Sequence, residues 1–394
     1  MTDFDTISDN AQSSSEKWSP LILRDKFGTD DVLPFWVADM DFDAPEVVQQ
    51  QIVSRAQQGL YSYETRPDAM FQAAVEWNAR RHNWHIEERH LCFSQSTLSA
   101  VALLLTQLTS EGDGVIIQPP VYFQFQTVIE MNHRSVVTNP LRLKNGRYEI
   151  DFDDLDAKAA NPRTKVLLLC NPHNPVGRVW ERDELQRVAD ICLRRNVKVM
   201  ADEVHGDFVF GGHSFTPFCS LSHELAQLSV SCTSAAKTFN IPSVTNGFVV
   251  IPNDGLRAEY CRQVDRLFLQ KINSFTAVAT EAAYRSGHEW LDQAVGYVED
   301  NVRYLEDAFA SRIPQVKLIK PEATFMVWLD FRKLGLATQP LEEFLVREAR
   351  LALKSGHSFG TQGEGFARMA IGCPRSLLEE GVSRLATAIS GSGL

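Results

Sequence analysis

Short apolar runs and amphipathic segments alternate through the middle of the chain, from about residue 90 to 255. The strand-like runs are GVIIQPP, SVVTNPL, KVLLLCNP, VKVMADEV, LSVSCTS and GFVVIPN. Before VKVMADEV, the segment ERDELQRVADICLRR places Leu185, Val188, Ala189 and Cys192 on one helical face. This alternation predicts an α/β fold with a mostly parallel sheet that is covered by helices on both faces. Such sheets bind ligands at the carboxyl ends of their strands.

The two ends of the chain predict a smaller α+β domain. After about residue 290, helical patterns flank the strand-like runs VKLIK and TFMVWLDF, and Ser376 and Glu379 have the spacing of a capping box for a helix over 376–389. We therefore expect a large domain over 49–289 and a small domain formed by 18–48 and 290–394. The polar start of the chain predicts a flexible tail over 1–17.

Composition and charge narrow the classes of function. The chain has 394 residues, of which 44% are hydrophobic, and its net charge of −11 argues against binding to nucleic acid or to an anionic membrane. Seven scattered cysteines without a C-x-x-C pair argue against a disulfide framework or a zinc site, and favour a reducing compartment. With neither a signal-peptide pattern nor an apolar stretch of membrane-spanning length, the sequence predicts a cytoplasmic protein.

Three polar side chains follow three of the strand-like runs. Asn174 lies in CNPHNPVGR, Asp202 in ADEVHGDF and Lys237 in TSAAKTFN. A lone lysine at such a place is usually one whose stem covers apolar surface. A carboxylate, an amide and an amine at neighbouring strand ends are, however, what pyridoxal phosphate (PLP) requires for its ring nitrogen, its phenolic oxygen and its Schiff base.

Two further motifs bear on the chemistry. Asp202, Glu203, His205 and Asp207 first suggest a metal cluster, but alternation along a strand sends neighbouring side chains to opposite faces, so we expect no metal site. Arg368, in GFARMAIGCPR, has a clear role only within an amino-acid enzyme, where its guanidinium would bind the substrate carboxylate.

Several of these motifs together resemble a known family. VLPFWVADMDF, PPVYFQF, CNPHNPVGRVW, ADEVHGDF, the lysine followed by TFN, and RMAIGCPR are similar to the fold-type I aminotransferase superfamily of PLP enzymes. Within it they resemble the MalY/PatB-type cystathionine β-lyase branch. The resemblance extends from about residue 18 to 390.

The resemblance implies a role for each cofactor residue. Lys237 would form the Schiff base and then act as the base at Cα, Asp202 would pair with the ring nitrogen, and Tyr122 would lie over the ring. Asn174, supported by His205, would bind the phenolic oxygen. The phosphate would be bound by the turn and helix start at Ser96 and Thr97 and by Ser234.

It also implies the substrate contacts and the assembly. Arg368 would bind the α-carboxylate, with the backbone of Val37 and Ala38 closing over it. Tyr63 would reach the phosphate of a neighbouring subunit, which implies a homodimer with shared active sites. Two departures from the family pattern are at Ser96, which replaces a glycine, and at Ala236, which replaces the serine before the lysine. Further departures are Ser243 in place of a glycine soon after the lysine, and the lack of an arginine in TFNIPSVTNG.

The resemblance implies a β-lyase that cleaves cystathionine or a related cysteine S-conjugate to a thiol, pyruvate and ammonia. An aminotransferase, or a specialised biosynthetic PLP lyase acting on another amino acid, is the alternative. A regulatory binding protein that uses the same fold is a third possibility, against which the complete set of Lys237, Asp202, Asn174 and Arg368 argues.

Overall fold

The computed structural model describes residues 2–7, 15–244 and 247–393. Its strands are β1 (Leu33–Pro34), β2 (Leu91–Ser94), β3 (Gly114–Ile117), β4 (Ser135–Thr138), β5 (Arg142–Lys144), β6 (Arg147–Glu149), β7 (Thr164–Cys170), β8 (Lys198–Asp202), β9 (Ser229–Thr233), β10 (Gly247–Val250), β11 (Lys317–Ile319), β12 (Met326–Asp330), β13 (Leu351–Ala352), β14 (Lys354–Ser355) and β15 (Phe366–Ala370). Its helices are α1 (Pro20–Phe27), α2 (Glu46–Gln57), α3 (Asp68–His82), α4 (Thr97–Leu108), α5 (Gln124–Met131), α6 (Phe152–Ala159), α7 (Arg182–Arg195), α8 (His223–Leu228), α9 (Ala235–Thr238), α10 (Asp254–Arg266), α11 (Ser274–Ser286), α12 (His288–Arg312), α13 (Thr338–Arg347) and α14 (Arg375–Ser392).

A seven-stranded sheet forms the centre of the molecule, in the order β2-β10-β9-β8-β7-β3-β4. Only β10 runs antiparallel to its neighbours, so the predicted mostly parallel sheet is confirmed. Both faces of β7 are buried: Leu167 and Leu169 pack into one core and Val166 and Leu168 into the other. A strand buried on both faces is apolar throughout, which explains the unbroken run VLLL.

Helices cover the two faces, as the pattern predicted. The apolar face of α7 is buried through Leu185, Val188, Ala189 and Cys192. Helix α4 buries Ala100, Val101, Leu104 and Leu105 on the opposite face of the sheet. Among the described residues, every helix is too short or too polar to span a bilayer.

The two ends of the chain pack together beside this sheet. Strand β1 pairs with β13, and β11, β12, β15 and β14 form an antiparallel sheet. Helix α12 begins at His288, next to the boundary expected near 290. The division into 18–48 with 290–394 and 49–289 stays a prediction.

The expected flexible tail over 1–17 needs a correction. Phe4 is buried, with its ring 4.8 Å from that of Phe42 and 5.9 Å from that of Trp290, and Lys17 is also buried. These residues therefore belong to the packed body of the protein, because an aromatic ring and a paired lysine are stabilised there. Residue 1 and residues 8–14 of the expected tail lie outside the described residues.

Candidate active site

A cavity of about 240 Å³ opens at the carboxyl ends of the parallel strands. Most of the residues predicted to bind cofactor line it: Ser96, Thr97, Tyr122, Asn174, Asp202, His205, Ser234 and Lys237, together with Ala38 from the predicted substrate set. Parallel strands end at one edge of the sheet, so residues far apart in sequence meet there. The cavity is also lined by Ala236, one of the two departures from the family pattern, and by six residues that the sequence analysis did not single out: Gln95, Leu98, Cys170, Val204, Pro242 and Gly247.

Lys237 lies on the short helix α9, directly after strand β9. The hydroxyl of Ser234 caps this helix by accepting a hydrogen bond from the Ala236 backbone N–H at 3.1 Å. The Lys237 ammonium donates to the Ala38 carbonyl oxygen over 2.6 Å. Desolvation is the main effect on this amine and lowers the pKa of Lys237.

Asp202 ends strand β8 and is buried. Its Oδ1 accepts a hydrogen bond from the Val204 backbone N–H at 3.4 Å. Burial raises the pKa of Asp202 to about 6, and this hydrogen bond and the charge of Lys237 offset the rise only in part. A cation placed against this carboxylate would favour its ionised form.

Arg368, on strand β15, is a buried cation beside the cavity. Its guanidinium donates to Asn174 Oδ1 at 3.2 Å and to the Trp36 carbonyl oxygen at 2.9 Å, and lies 5.2 Å from the ring of Phe359. Within the described residues its Nε has no hydrogen-bond partner. Burial lowers the pKa of Arg368 to about 10. A buried arginine held by neutral oxygens is suited to bind a carboxylate.

Tyr122 and His205 supply aromatic walls of the cavity. The Tyr122 ring packs edge-on against Phe123 at 5.2 Å and Phe125 at 5.7 Å, and burial, followed by the charge of Asp202, raises the pKa of Tyr122 to about 12. His205 is buried against the ring of Phe325, and burial lowers the pKa of His205 to about 3. His205 is therefore neutral at physiological pH, and its Nδ1 forms no hydrogen bond within the described part of the chain.

Helix α4 starts at the opposite wall. Ser96 is its N-cap: its Oγ accepts from the Ser99 N–H at 3.1 Å, and the Ser99 hydroxyl accepts from the Ser96 N–H at 2.9 Å. The serine in place of the family glycine therefore serves the helix as half of a capping box. Thr97 and Leu98, which follow the cap, line the cavity, and the first N–H groups of a helix attract anions.

The four residues that first suggested a metal site point in different directions. Asp202 and His205 face the cavity, whereas Glu203 accepts a hydrogen bond from the Phe218 N–H at 2.7 Å. Asp207 accepts from Thr238 at 2.7 Å and contacts His82 at 2.9 Å. A group of three or more potential metal ligands does not occur within residues 2–7, 15–244 and 247–393.

Three predicted residues are outside the lining of the cavity: Arg368, which lies beside it, Val37 and Tyr63. Val37 packs with the apolar cluster around Trp36, and its neighbours Trp36 and Ala38 provide the carbonyl oxygens. Tyr63 is 97% exposed, and its ring lies 6.0 Å from the ammonium of Lys271. A role in a neighbouring subunit stays a prediction for Tyr63.

The sequence analysis missed a network of buried polar side chains that lies next to the segment 36–38. The buried Lys17 ammonium lies 2.6 Å from the Asp41 carboxylate and 3.5 Å from that of Asp39. Trp18 Nε1 donates a hydrogen bond to Asp41 at 2.7 Å. The only signal was a tryptophan beside a lysine in an otherwise polar stretch, SSSEKWS.

Comparison with known proteins identifies the family of this chain. Residues 30–385 match the family model described as aminotransferase class I and II. The chain is 37% identical over 387 residues to cystathionine beta-lyase PatB of Bacillus subtilis (strain 168), covering 98% of this chain and 100% of that one. It is 34% identical over 392 residues to protein MalY of Escherichia coli (strain K12), covering 99% of each.

The fold agrees with a solved structure over the whole chain. The crystal structure of cystalysin from Treponema denticola, which contains a pyridoxal 5'-phosphate cofactor, superposes with a TM-score of 0.96 at 30% identity, and all of both chains is covered. The family model and both relatives span nearly the whole chain, so the similarity is not confined to one motif. This chain belongs to the aminotransferase class I and II family.

Proposed function

We propose that this chain is a PLP-dependent carbon–sulfur β-lyase that cleaves cystathionine or a related cysteine S-conjugate to a thiol, pyruvate and ammonia. The observation that carries the proposal is that Lys237, Asp202 and Asn174 line one cavity, and that Arg368 lies beside it and donates a hydrogen bond to Asn174. The full-length similarity to a protein named cystathionine beta-lyase supports this reaction.

The residues of the cavity fit PLP. The buried Asp202 carboxylate suits a protonated ring nitrogen, and the N–H groups that open α4 suit a phosphate. His205 lines the same space, and its Nδ1 is a buried polar atom without a protein partner among the described residues. When bound, PLP would supply an aldehyde carbon for an amino group and a ring that accepts the electron pair left on the substrate Cα.

Substrate orientation falls to Arg368. Its guanidinium would bind the α-carboxylate, and Asn174 and the Trp36 carbonyl hold it in place. A fixed carboxylate presents the Cα–H bond to the amine of Lys237, which converts a random encounter into a positioned proton transfer. Removal of the guanidinium is therefore expected to affect both binding and rate.

Lys237 would move the proton. Because desolvation lowers the pKa of Lys237, a larger fraction of the amine is neutral and able to accept the proton from Cα. The electron pair left on Cα expels the thiolate from Cβ when sulfur is the substituent there. Tyr122 keeps its phenol proton at neutral pH, because its pKa is about 12.

The direct test mixes purified holoenzyme with L-cystathionine and no keto acid, and follows pyruvate and free thiol together. Continuous release of both supports the β-lyase. A single turnover that continues only after a keto acid is added would identify an aminotransferase. Lys237→Ala should release no pyruvate, and a biological effect that survives in this variant would instead support a binding protein.

We also propose a homodimer whose active sites share Tyr63. Two large apolar residues just before Tyr63 are exposed, Leu60 at 72% and Tyr61 at 59%. Two more are exposed directly after the end of α10, Leu267 at 54% and Phe268 at 81%. Large apolar side chains exposed in this number are typical of an interface.

The seven cysteines are all free thiols, which supports the proposed cytoplasmic location.

Subunit complementation tests this assembly. Lys237→Ala and Tyr63→Ala homodimers, each of low activity, are mixed and allowed to exchange subunits. If Tyr63 acts across the interface, each heterodimer contains one site with both residues, and activity returns. If the mixture stays as inactive as its components while sedimentation shows that subunits have exchanged, Tyr63 does not act in the neighbouring site.

A further inference from the structure

A second cation lies beside Arg368 in the small antiparallel sheet. Strand β14 pairs with β15 so that Lys354 stands directly opposite Arg368. Residues opposite each other on antiparallel strands project to the same face of a sheet. Lys354 therefore projects to the same face of the sheet as Arg368, and its side chain lines a second cavity together with Trp36, Phe366 and Ala367.

Contacts with aromatic rings define the position of the Lys354 ammonium group. Its Nζ lies 4.4 Å from the centre of the Phe123 ring, and Arg368 lies 5.2 Å from that of Phe359. These two rings pack edge-on at 5.9 Å, so the two cations stand over a continuous aromatic surface. Phe123 also packs against Tyr122, which lines the cavity.

Lys354 has no counter-ion of its own in the described part of the protein. No carboxylate oxygen lies within 4.0 Å of its Nζ there, although the side chain is half-buried. Burial, Arg368 and Lys26 all lower the pKa of Lys354, and the carboxylates of Glu16 and Glu342 oppose this only through longer-range charge. A partly desolvated ammonium over an aromatic surface gains most from an anion that arrives with the ligand.

We propose that Lys354 is a specificity-determining residue that binds a carboxylate on the sulfur substituent of the substrate. The inference rests on the proposed β-lyase function and narrows its substrate class to cysteine S-conjugates whose leaving thiol carries an anionic group. Arg368 takes the α-carboxylate, and Lys354, on the same face and over the adjoining ring, takes the second one. L-cystathionine, with a carboxylate at its far end, belongs to this class.

The test compares two substrates that differ in charge and hardly in shape. S-(2-carboxyethyl)-L-cysteine and its neutral amide, S-(2-carbamoylethyl)-L-cysteine, are given to holoenzyme, and kcat/KM is measured from pyruvate release. The wild type should prefer the acid by about tenfold, which corresponds to one charge-assisted hydrogen bond. Lys354→Gln should lose this preference by losing activity on the acid alone, Lys354→Arg should keep it, and Lys354→Glu should prefer the amide.

Lys26 provides the matched control, because it is an exposed lysine over the nearby Trp36 ring at 5.3 Å. Lys26→Gln should leave the ratio of the two substrates unchanged. If Lys354→Gln keeps the wild-type ratio of kcat/KM between acid and amide, or loses the same activity on both substrates, the inference is overturned. Release of pyruvate from the amide would still support the β-lyase function in that case. Absence of pyruvate from both conjugates and from L-cystathionine would overturn the proposed function, and this inference with it.

Discussion

The buried ion pair between Lys17 and Asp41 should stabilise both the fold and the segment that shapes the site. Lys17 is 1% exposed, with its ammonium 2.6 Å from Asp41 and 3.5 Å from Asp39. Lys17→Met preserves most of the volume but leaves the Asp41 carboxylate buried, with Trp18 as its only donor side chain among the described residues. Loss of one partner of a buried pair costs about 3–5 kcal/mol, so we expect the free energy of unfolding to fall by that amount.

A double-mutant cycle separates the pair from the packing around it. Lys17→Met with Asp41→Asn removes both charges, and the double variant should recover more than about 1 kcal/mol relative to the sum of the two single losses. Unfolding in urea, followed by tryptophan fluorescence, measures each variant. Additive losses would refute the reasoning, because they would mean that the two charges do not stabilise each other.

The pH dependence of the deficit gives a second check. Burial lowers the pKa of Lys17, but Asp41, Asp39 and Cys373 together raise it by more, so the pKa is above the ordinary value of 10.5. A raised lysine pKa contributes stability that is complete below the unfolded value and is lost as the pH rises through the folded one. The deficit of Lys17→Met should therefore stay constant between about pH 7 and 9 and shrink only above about pH 10.5. A deficit that vanished near pH 8 would contradict this assignment of charge.

Three further predictions concern single side chains. Burial raises the pKa of Asp202 from 3.8 to about 6, so the ionised carboxylate destabilises the fold above that pH. Asp202→Asn should therefore stabilise protein dialysed free of cofactor by on the order of 3 kcal/mol at pH 8 and about half as much at pH 5, as measured by urea unfolding. The same variant should release less pyruvate. Arg368→Lys should lower kcat/KM by about 100-fold, since an ammonium cannot form two parallel hydrogen bonds with a carboxylate, and a loss below threefold would count against the α-carboxylate role. Cys261 is exposed, and its hydrogen bond with Cys92 lowers the pKa of its thiol to about 7, so native protein should show one fast thiol towards an aromatic disulfide reagent; Cys261→Ser should abolish that fast phase.

Regular elements were predictable where a local pattern specifies them. The six strand-like runs and the face of α7 were read correctly, because period and apolar content are properties of consecutive residues. The capping box at Ser376 and Glu379 was wrong. Helix α14 begins at Arg375 after an extended Pro374, with no side-chain cap, so Ser376 already lies inside the first turn. The buried face of Leu378, Val382, Leu385 and Ile389 was nonetheless correct, since it depends on spacing and not on the start.

The candidate site was predictable in its side chains but not in its backbone partners. Residues that end parallel strands are brought together by topology, which is why Asn174, Asp202 and Lys237 could be grouped in advance. The carbonyl groups of Trp36 and Ala38 carry no sequence signal, since every residue has one. Their bonds to Arg368 and Lys237 join positions 332 and 199 residues apart, which no local pattern encodes.

Asn240 explains why the segment around Trp36 and the lysine belong to one structural unit. Its side-chain amide donates to the carbonyl oxygens of Met40 at 2.9 Å and Phe42 at 2.7 Å, and its Oδ1 accepts from the Met40 N–H at 3.0 Å. Asn240 itself has a positive φ of 53°, a conformation that asparagine tolerates better than most residues. The segment that carries Lys237 is thus tied to the backbone segment whose Ala38 carbonyl accepts the hydrogen bond of Lys237. A shift of either segment would move the amine and the Arg368 guanidinium together, so the distance between the proton acceptor and the carboxylate-binding group is protected by the same contacts that hold the fold.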